Sequence, residues 1–387
     1  MAFLQPRPQA QALVRERADA IALARRHWLA GEPARPGQHA PAGIDSAITR
    51  SWQRCLEQGR RPGQRIVFDP VPQPRQRAAA ERQRPLREAS EPVLAQLARA
   101  IAGTRYFAML TDAQGVVIAT AALAADAPRA ALDIARVGVD LSEAAVGTTA
   151  IGLALAEHRT VWLHRAEHFF DDTSLYTCAG APIFDADGRC AGMLDLTGVD
   201  VAERPELQHL AQQAAGAIGQ GLLRSLPAAL WLQINWPGGL GPPWADDESG
   251  PPSRDGLLAL DADGQVLGAN ATARQLLPLR AGAGSHASEL LAVPVGLLFD
   301  AAARHPQPVE LPLWSGLRLQ ARAWRPEHGR LRMPAAQPAP PRLRELQGRL
   351  IEQAVRDAHG NVAEAARALG VSRATVYRQL GAARPRR

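Results

Sequence analysis

The chain has 387 residues, 46% of them hydrophobic, and is therefore long enough for several domains that each bury a core. It contains no lysine, which excludes both a P-loop ATPase and Schiff-base chemistry, because each needs a lysine amine. Its formal net charge of +6 lies entirely in residues 342–387, where ten arginines stand against four acidic residues, and this favours nucleic-acid binding by that segment.

Cysteine content and hydropathy exclude further classes of protein. The three cysteines, Cys55, Cys178 and Cys190, show neither a disulfide framework nor a zinc-ligand spacing, so we expect no metal and no cofactor. The sequence has no signal peptide and no apolar run long enough to span a bilayer. These features predict a cytoplasmic protein that does not bind membranes.

Stretches rich in proline and glycine divide the chain. The clearest are PGGLGPPWADDESGPP at 237–252 and PAAQPAPP at 334–341, with a weaker break at 61–74. They predict a multidomain α+β protein. Its predicted parts are a helical N-terminal extension (1–80), a sensor domain (81–228), a linker (229–253), a second α+β domain (254–331), a proline-rich linker (332–341) and an all-α DNA-binding domain (342–387).

The N-terminal extension has helical periodicity in ALVRERADAIALARRHWL and again in IDSAITRSWQRCLEQG. We expect these helices to pack against the domain that follows them. The second segment also contains SWQRC, which resembles the S-W-x-R-C signature near the start of regulators of the acetoin-catabolism type.

The sensor domain begins with the helical segment PLREASEPVLAQLARAIAG and ends with the helical segment ELQHLAQQAAGAIGQGLL. Between them, RYFAMLTDAQGVVIAT and APIFDADGRCAGMLDLTG each contain two strand-like runs around a D-A-x-G turn. This pattern predicts an antiparallel sheet with helices on one face. The D-A-x-G element occurs at Asp112, Asp185 and Asp261, where we expect turn formation and no catalytic role.

The segment from Gly138 to Ile183 resembles the GAF domain of the acetoin and dihydroxyacetone regulator family. That family's pattern is G-x-x-x-x-E-x-x-x-G-T-N-A-I-G, then E-H-F, then C-x-x-x-P-I, and this chain has threonine where the family usually has asparagine. The resemblance implies a small-molecule effector held between the sheet and its covering helix and loops. The candidate ligand-binding residues are Thr148, Thr149, His168, Phe169 and Cys178. The alternative for each is a structural role, as a helix start, a core aromatic or a buried thiol.

Two patterns in the same domain are typical of enzymes. His164, Glu167 and His168 spell H-x-x-E-H, a metalloprotease arrangement when it lies on a helix, but here it follows the strand-like TVWL. Cys178 with Cys190 offers a thiol redox sensor, or an enzyme like methionine sulfoxide reductase, if the thiols are accessible and lie in an electropositive setting. We expect no enzyme activity and no catalytic residue, and keep the redox protein as the alternative.

The second α+β domain begins with GLLALDADGQVLGANATARQLLPL, in which two strand-like runs are followed by Asn270 and a short periodic helix. This order resembles the opening of a PAS domain. The later LPLWSGLRLQARAW has the alternation of strands that such a sheet requires. We therefore predict a PAS-like domain.

The C-terminal segment GNVAEAARALGVSRATVYRQL has the features of a helix-turn-helix. Asn361 caps one short amphipathic helix, Gly370 supplies the turn, and Ser372 caps the next helix. The segment resembles the Fis-type helix-turn-helix of sigma-54-dependent activators. The predicted DNA-binding residues are Ser372, Arg373, Thr375, Tyr377 and Arg378. The alternative is an ordinary helical hairpin with an arginine-rich surface.

Taken together, these resemblances follow the domain order of acetoin-catabolism-type regulators, without an AAA+ ATPase between sensor and DNA-binding parts. They imply a ligand-responsive transcriptional regulator that binds double-stranded DNA as a homodimer and takes a small-molecule effector in its GAF domain. RNA polymerase, or a full-length sigma-54 activator, is a further expected partner.

Overall fold

A computed structural model describes residues 8–29, 44–241, 255–279, 284–303, 308–326 and 362. The chain divides into two compact units, Met1–Pro326 and Glu327–Arg387, and the elements below all belong to the first. The predicted DNA-binding residues Ser372, Arg373, Thr375, Tyr377 and Arg378 lie outside the described residues. Among the helices that are described, none is long and apolar enough to cross a bilayer.

The first part of the unit contains eight helices and five strands within the described residues. In chain order they are α1 (Pro8–Leu29), α2 (Ser46–Glu57), α3 (Gln73–Arg82), α4 (Arg84–Ala100), β1 (Tyr106–Asp112), β2 (Val117–Ala121), α5 (Arg129–Ile134), α6 (Glu143–Val146), α7 (Ala150–Glu157), β3 (Val161–His164), β4 (Tyr176–Phe184), β5 (Cys190–Val199) and α8 (Glu206–Arg224). Two short 3-10 helices, Arg165–Glu167 and Asp171–Thr173, lie between β3 and β4.

The five strands form one antiparallel sheet in the order β2-β1-β5-β4-β3. Successive residues of β5 enter two different cores. Met193 packs with α1, α2, α5 and α7, whereas Leu194 packs with α4 and α8 on the other face. The expectation that helices cover one face was therefore wrong. Every residue of β1 is buried, as a strand between two covered faces requires.

A second antiparallel sheet follows α8. Its strands are β6 (Leu230–Asn235), β7 (Gly256–Leu260), β8 (Val266–Ala269), β9 (Val309–Pro312) and β10 (Arg318–Trp324), in the order β8-β7-β6-β10-β9. Helices α9 (Ala271–Leu276), α10 (Ala287–Leu290) and α11 (Val295–Ala303) connect them. A mixed α+β chain with two antiparallel sheets is thus confirmed.

The start of the predicted linker at residue 229 was wrong. Residues Leu230–Asn235 form β6, the central strand of the second sheet, and Leu230, Leu232 and Ile234 are fully buried. The strand is short, and the turn-forming PGG follows one residue after its end, so the sequence pattern places the segment in the linker together with these turn residues.

The D-A-x-G elements all form hairpin turns of the same design, as predicted. The carboxylates of Asp112, Asp185 and Asp261 each accept two backbone N–H bonds of 2.8–2.9 Å from their own turn. Each turn then needs a residue at positive φ, which glycine adopts without strain. These glycines are Gly115, Gly188 and Gly264.

The N-terminal helices contribute to the core of the first sheet. Ile48, Trp52 and Cys55 of α2 and Ile21 and Ala24 of α1 belong to the same buried cluster as the strands. Trp52 is completely buried, and its indole Nε1 donates to the carbonyl oxygen of Glu167 at 2.9 Å. The extension is therefore part of the first domain.

Trp52→Ala should lower the free energy of unfolding by about 3–5 kcal/mol, because it leaves a cavity in a closed core. Trp236→Ala is the matched control, since its side chain is 43% exposed, and we expect a change within about 1 kcal/mol. Urea unfolding monitored by circular dichroism measures both. Equal effects of the two substitutions would show that α2 is not part of this core.

Candidate functional site

A cavity lies between one face of the first sheet and the segments that cover it. Its volume is ≈ 320 Å³ when its open side is included. Its exposed surface is mostly apolar, as in most small-molecule sites, although seven of the thirteen lining side chains carry a polar atom. The lining residues are Phe68, Met109, Ile134, Leu141, Thr149, Ala150, Ile151, His168, Thr173, Tyr176, Cys178, Asp195 and Thr197.

Four of the polar lining residues form a connected row. The Nδ1 atom of His168 lies 2.8 Å from the carbonyl oxygen of Arg165, and its Nε2 atom lies 3.5 Å from Cys178 Sγ. Thr197 Oγ1 lies 3.3 Å from the same sulfur and is hydrogen-bonded to Asp195 Oδ2. The row therefore runs across β4 and β5 from the covering loop into the centre of the sheet.

Burial displaces the protonation equilibria of this row. It lowers the pKa of His168 to about 4, so the imidazole is neutral at physiological pH. It raises the pKa of the Cys178 thiol well above its ordinary value and that of the Asp195 carboxyl to about 7. Cys178 is consequently a thiol, not a thiolate, and does not meet the requirement for a reactive cysteine.

The predicted ligand-binding residues occupy different places. Thr149, His168 and Cys178 line the cavity, whereas Thr148 and Phe169 are fully buried outside its lining. Thr148 Oγ1 lies 2.7 Å from Ser51 Oγ on α2. Phe169 packs edge-on against Phe170 at 5.0 Å between ring centroids.

Sequence reasoning missed Asp195, Thr197 and Tyr176, which also line the cavity. The alternation in β5 contains a usable signal. In CAGMLDLTGV, Asp195 and Thr197 share a face with Met193, while Leu194 and Leu196 point to the other side. Two polar residues on a face that is otherwise core are unexpected in a buried strand, and they lie on the side that lines the cavity.

The sequence motifs meet at Glu143, at the start of α6. Arg54 of α2 forms a two-point ion pair with it, Nε to Oε1 at 2.6 Å and Nη2 to Oε2 at 2.7 Å. Ser51 Oγ donates to the same carboxylate at 2.5 Å and also contacts Thr148. The S-W-x-R-C and E-x-x-x-G-T segments are therefore complementary halves of one contact, which we call the α2 joint (Ser51, Trp52, Arg54, Glu143 and Thr148).

Two glycines of the motif allow this close packing. A Cβ on Gly152 would lie 2.8 Å from the backbone nitrogen of Glu143, so α7 and α6 could not approach as they do. Gly147 has φ of +68°, and a Cβ there would meet the ring of Phe170 at 2.8 Å. Thr149 then caps α7 by accepting from the Gly152 nitrogen at 3.1 Å, a role that asparagine also performs well.

The N-terminal helices also hold the loop that covers the cavity. Arg25 donates to the carbonyl oxygens of Ala166, His168 and Phe169 and pairs with Asp171. Arg17 of α1 pairs with buried Glu167 at 2.9 Å, although burial of Glu167 raises the pKa of that carboxyl. The backbone on either side of His168 is thus fixed from outside the sheet.

The enzyme-like patterns do not assemble into sites. His164 Nδ1 lies 2.9 Å from Thr177 Oγ1, Glu167 pairs with Arg17, and His168 faces the cavity. In the sheet, Cys178 of β4 lies opposite Thr197 of β5, and Thr197 is seven residues along β5 from Cys190. That places the two cysteines roughly 24 Å apart, at about 3.4 Å per residue, far beyond the span of a disulfide.

Two family models match the chain. One, described as the N-terminal domain of MimR, matches residues 22–220. The other, described as a bacterial regulatory protein of the Fis family, matches residues 342–382. The second match confirms the resemblance of the C-terminal segment to a Fis-type helix-turn-helix.

Named relatives are regulators of catabolic genes. The acetoin catabolism regulatory protein of Cupriavidus necator is 31% identical over 66% of this chain and 38% of its own length. The propane 2-monooxygenase operon transcriptional activator MimR of Mycolicibacterium smegmatis is 28% identical over 47% of this chain and 30% of its own length. The solved complex of E. coli DhaR(N) with DhaL covers 73% of this chain and 100% of the solved chain, at 16% identity and a TM-score of 0.44. This chain spans well under half the length of those curated relatives.

A double-mutant cycle on Arg54→Met and Glu143→Gln should give a coupling energy of about 1–3 kcal/mol, because the ion pair is two-pointed and Glu143 is largely buried. The exposed pair of Arg84 and Glu88 on α4 is the matched control, and we expect no measurable coupling there. Urea unfolding of the four variants of each cycle provides the energies. Additive effects at Arg54 and Glu143 would contradict a stabilising joint.

Asp195→Asn should make stability rise more steeply with pH between about pH 4 and 6.5. The pKa of Asp195 in the folded chain is about 7, against an ordinary 3.8. Its contribution to the free energy of unfolding therefore falls as the pH rises through this window, by on the order of 4 kcal/mol in total. His168, with a folded pKa of about 4 against 6.5, contributes a rise over nearly the same window. The two contributions oppose each other in the wild-type chain.

Asp195→Asn removes only the contribution that falls with pH. The free energy of unfolding of the variant, relative to that of the wild type, should therefore rise by about 1.4 kcal/mol per pH unit. Urea unfolding at pH 4.5, 5.5 and 6.5 measures the difference. Stability curves that run parallel for the two proteins would show that Asp195 titrates normally in the fold.

Proposed function

The chain belongs to the family of the MimR N-terminal domain, and from this premise we propose that it is a ligand-responsive, sequence-specific DNA-binding regulator of transcription. One observation supports the proposal most directly. A single chain combines a Fis-family match at 342–382 with a cavity, whose exposed surface is mostly apolar, inside the region matched at 22–220. Such a regulator needs a site that binds an effector and a module that binds DNA.

The proposed sensor is the first sheet with its N-terminal helices, which we assign to the GAF type. Its cavity would take the effector, with Thr149, His168 and Cys178 as ligand-binding residues. Thr148 and Phe169 would act indirectly, Thr148 through the α2 joint and Phe169 through the covering loop. The second sheet, from β6 to β10, is proposed as the PAS-like domain.

The proposed output is the C-terminal module at 342–387, which carries the formal charge of the chain. Ser372, Arg373, Thr375, Tyr377 and Arg378 would contact operator DNA, with Arg373 pairing with guanine in the major groove. A homodimer would place two modules on half-sites about one helical turn apart. RNA polymerase or a full-length sigma-54 activator would be the protein partner.

The proposed mechanism requires no catalysis by the 387 residues. They contain no lysine, so they do not supply the lysine of the Walker motif on which ATP-driven remodelling depends. The buried thiol of Cys178, with its raised pKa and its distance from Cys190, disfavours the thiol redox alternative. An effector would act by binding one conformation of the regulator more tightly than another.

Arg373→Ala should weaken binding to DNA selected by the chain from a random pool by about 1–3 kcal/mol, with a smaller loss on unselected DNA. Arg386→Ala is the control, because we expect this terminal arginine to contact a phosphate, and the loss of a phosphate contact weakens binding to both DNAs alike. Gel-shift titrations at one fixed salt concentration measure all six affinities, those of the wild-type chain and both variants on both DNAs. Equal losses on both DNAs for Arg373→Ala, or failure of the chain to select any sequence, would overturn sequence-specific binding.

A further inference from the structure

One polar atom of a residue that lines the cavity has no hydrogen-bond partner. Among the described residues, Asp195 Oδ1 is buried and has no hydrogen-bond partner. The carboxyl belongs to the lining and is 1% exposed, in the middle of β5. An unpaired buried acceptor is costly, because it has lost its water and gained nothing in exchange.

The other polar side chains of the lining have partners within the chain. The Tyr176 hydroxyl donates to the carbonyl oxygen of Ala130 at 3.0 Å, and Thr173 Oγ1 donates to that of Phe170 at 2.8 Å. Thr149 is occupied in capping α7. These hydroxyl groups are therefore hydrogen-bonded within the chain, whereas Asp195 Oδ1, at the centre of the sheet, is not.

The row of hydrogen bonds determines whether Asp195 Oδ1 can donate or only accept. A carbonyl only accepts, so the proton of neutral His168 lies on Nδ1, towards Arg165, and Nε2 must accept from the Cys178 thiol. The sulfur in turn accepts from Thr197, whose single proton is then used. With that proton used, Thr197 Oγ1 can bond to Asp195 Oδ2 only as an acceptor, which requires the carboxyl to be protonated.

In that arrangement, the proton of the carboxyl sits on Oδ2 and Oδ1 is a bare acceptor. If the carboxyl is ionised instead, Thr197 turns its proton towards Oδ2, and Oδ1 is again a bare acceptor. The raised pKa of Asp195 permits both states near neutral pH. In either state the cavity lacks a donor at this position.

We propose that the cavity selects a small, largely apolar molecule that carries a hydroxyl or ammonium group, and that Asp195 Oδ1 accepts a hydrogen bond from that group. The inference rests on the proposed function in taking this cavity as the effector site. Met109, Ile134, Leu141 and Ile151 would contact the apolar body. Asp195 is thus the residue that decides specificity, since a ligand with acceptors alone leaves its oxygen unpaired.

Three probes of nearly equal size test this selection on the full 387-residue chain. Propan-2-ol offers a neutral donor, isopropylamine a charged donor, and acetone only an acceptor. Met109 lines the cavity, and methionine occurs only four times in the chain, so its methyl resonance reports binding in its neighbourhood. Titration to about 100 mM covers the weak affinity that so few non-hydrogen atoms can give.

We expect one or both donor probes to bind at least about tenfold more tightly than acetone. A preference for the amine over the alcohol would show that Asp195 is ionised, and the reverse that it is protonated. Acetone binding as tightly as both donors, or no shift of Met109 with any probe, would overturn the inference.

Asp195→Asn should reduce the preference over acetone to within about threefold, because the amide introduces a donor that a ligand carbonyl can use. Thr177→Val is the matched control. It removes a buried threonine hydroxyl from β4, the neighbouring strand, where Thr177 faces His164 and not the cavity, so the preference should persist. An unchanged preference in Asp195→Asn would also overturn the inference.

If Asp195→Asn does not fold, the three probes on the wild-type chain still decide the matter. DNA selection by the same chain is measured separately and involves no probe. A chain that selects DNA but does not prefer donors would refute the role of Asp195 alone. A chain that prefers donors but selects no DNA would refute the proposed function alone.

Discussion

The contact between α2 and Glu143 at the start of α6 is the constraint on which the first domain depends. Glu143 is 14% exposed in its side chain and receives two bonds from Arg54 and one from Ser51. A carboxylate in such a place is tolerated only when its charge and its oxygens are paired. The helix that provides the pairing also inserts Trp52 into the core, so charge pairing and apolar burial position the same element.

The same helices determine what covers the cavity. Trp52, Arg17 and Arg25 hold the backbone from Glu167 to Asp171, and His168 within that stretch faces the cavity. A ligand that moves His168 must therefore also disturb contacts of α1 and α2. Such a shared element can couple a binding site to the rest of a chain, because its alternative positions differ in both sets of contacts.

Local patterns predicted most of the strands, because alternation and turn chemistry act over a few residues. Asp112, Asp185 and Asp261 each fold their own turn, and Asn270 caps α9 through the Ala273 nitrogen at 2.8 Å. The second covered face of the sheet, and β6, depended on pairing between distant segments. Alternation alone puts Asp195 and Thr197 on one face of β5, but only the sheet register, which pairs Thr197 with Cys178, shows that this face lines the cavity.

The N-terminal helices complete the first domain. The most direct test of their role compares the thermal unfolding of fragments 1–228 and 82–228. We expect the longer fragment to unfold in one sharp transition. The shorter fragment lacks Trp52 and Arg54, so we expect it to lose that transition, because one face of the core is exposed and Glu143 has lost the arginine with which it pairs. A sharp transition at the same Tm in both fragments would contradict the account.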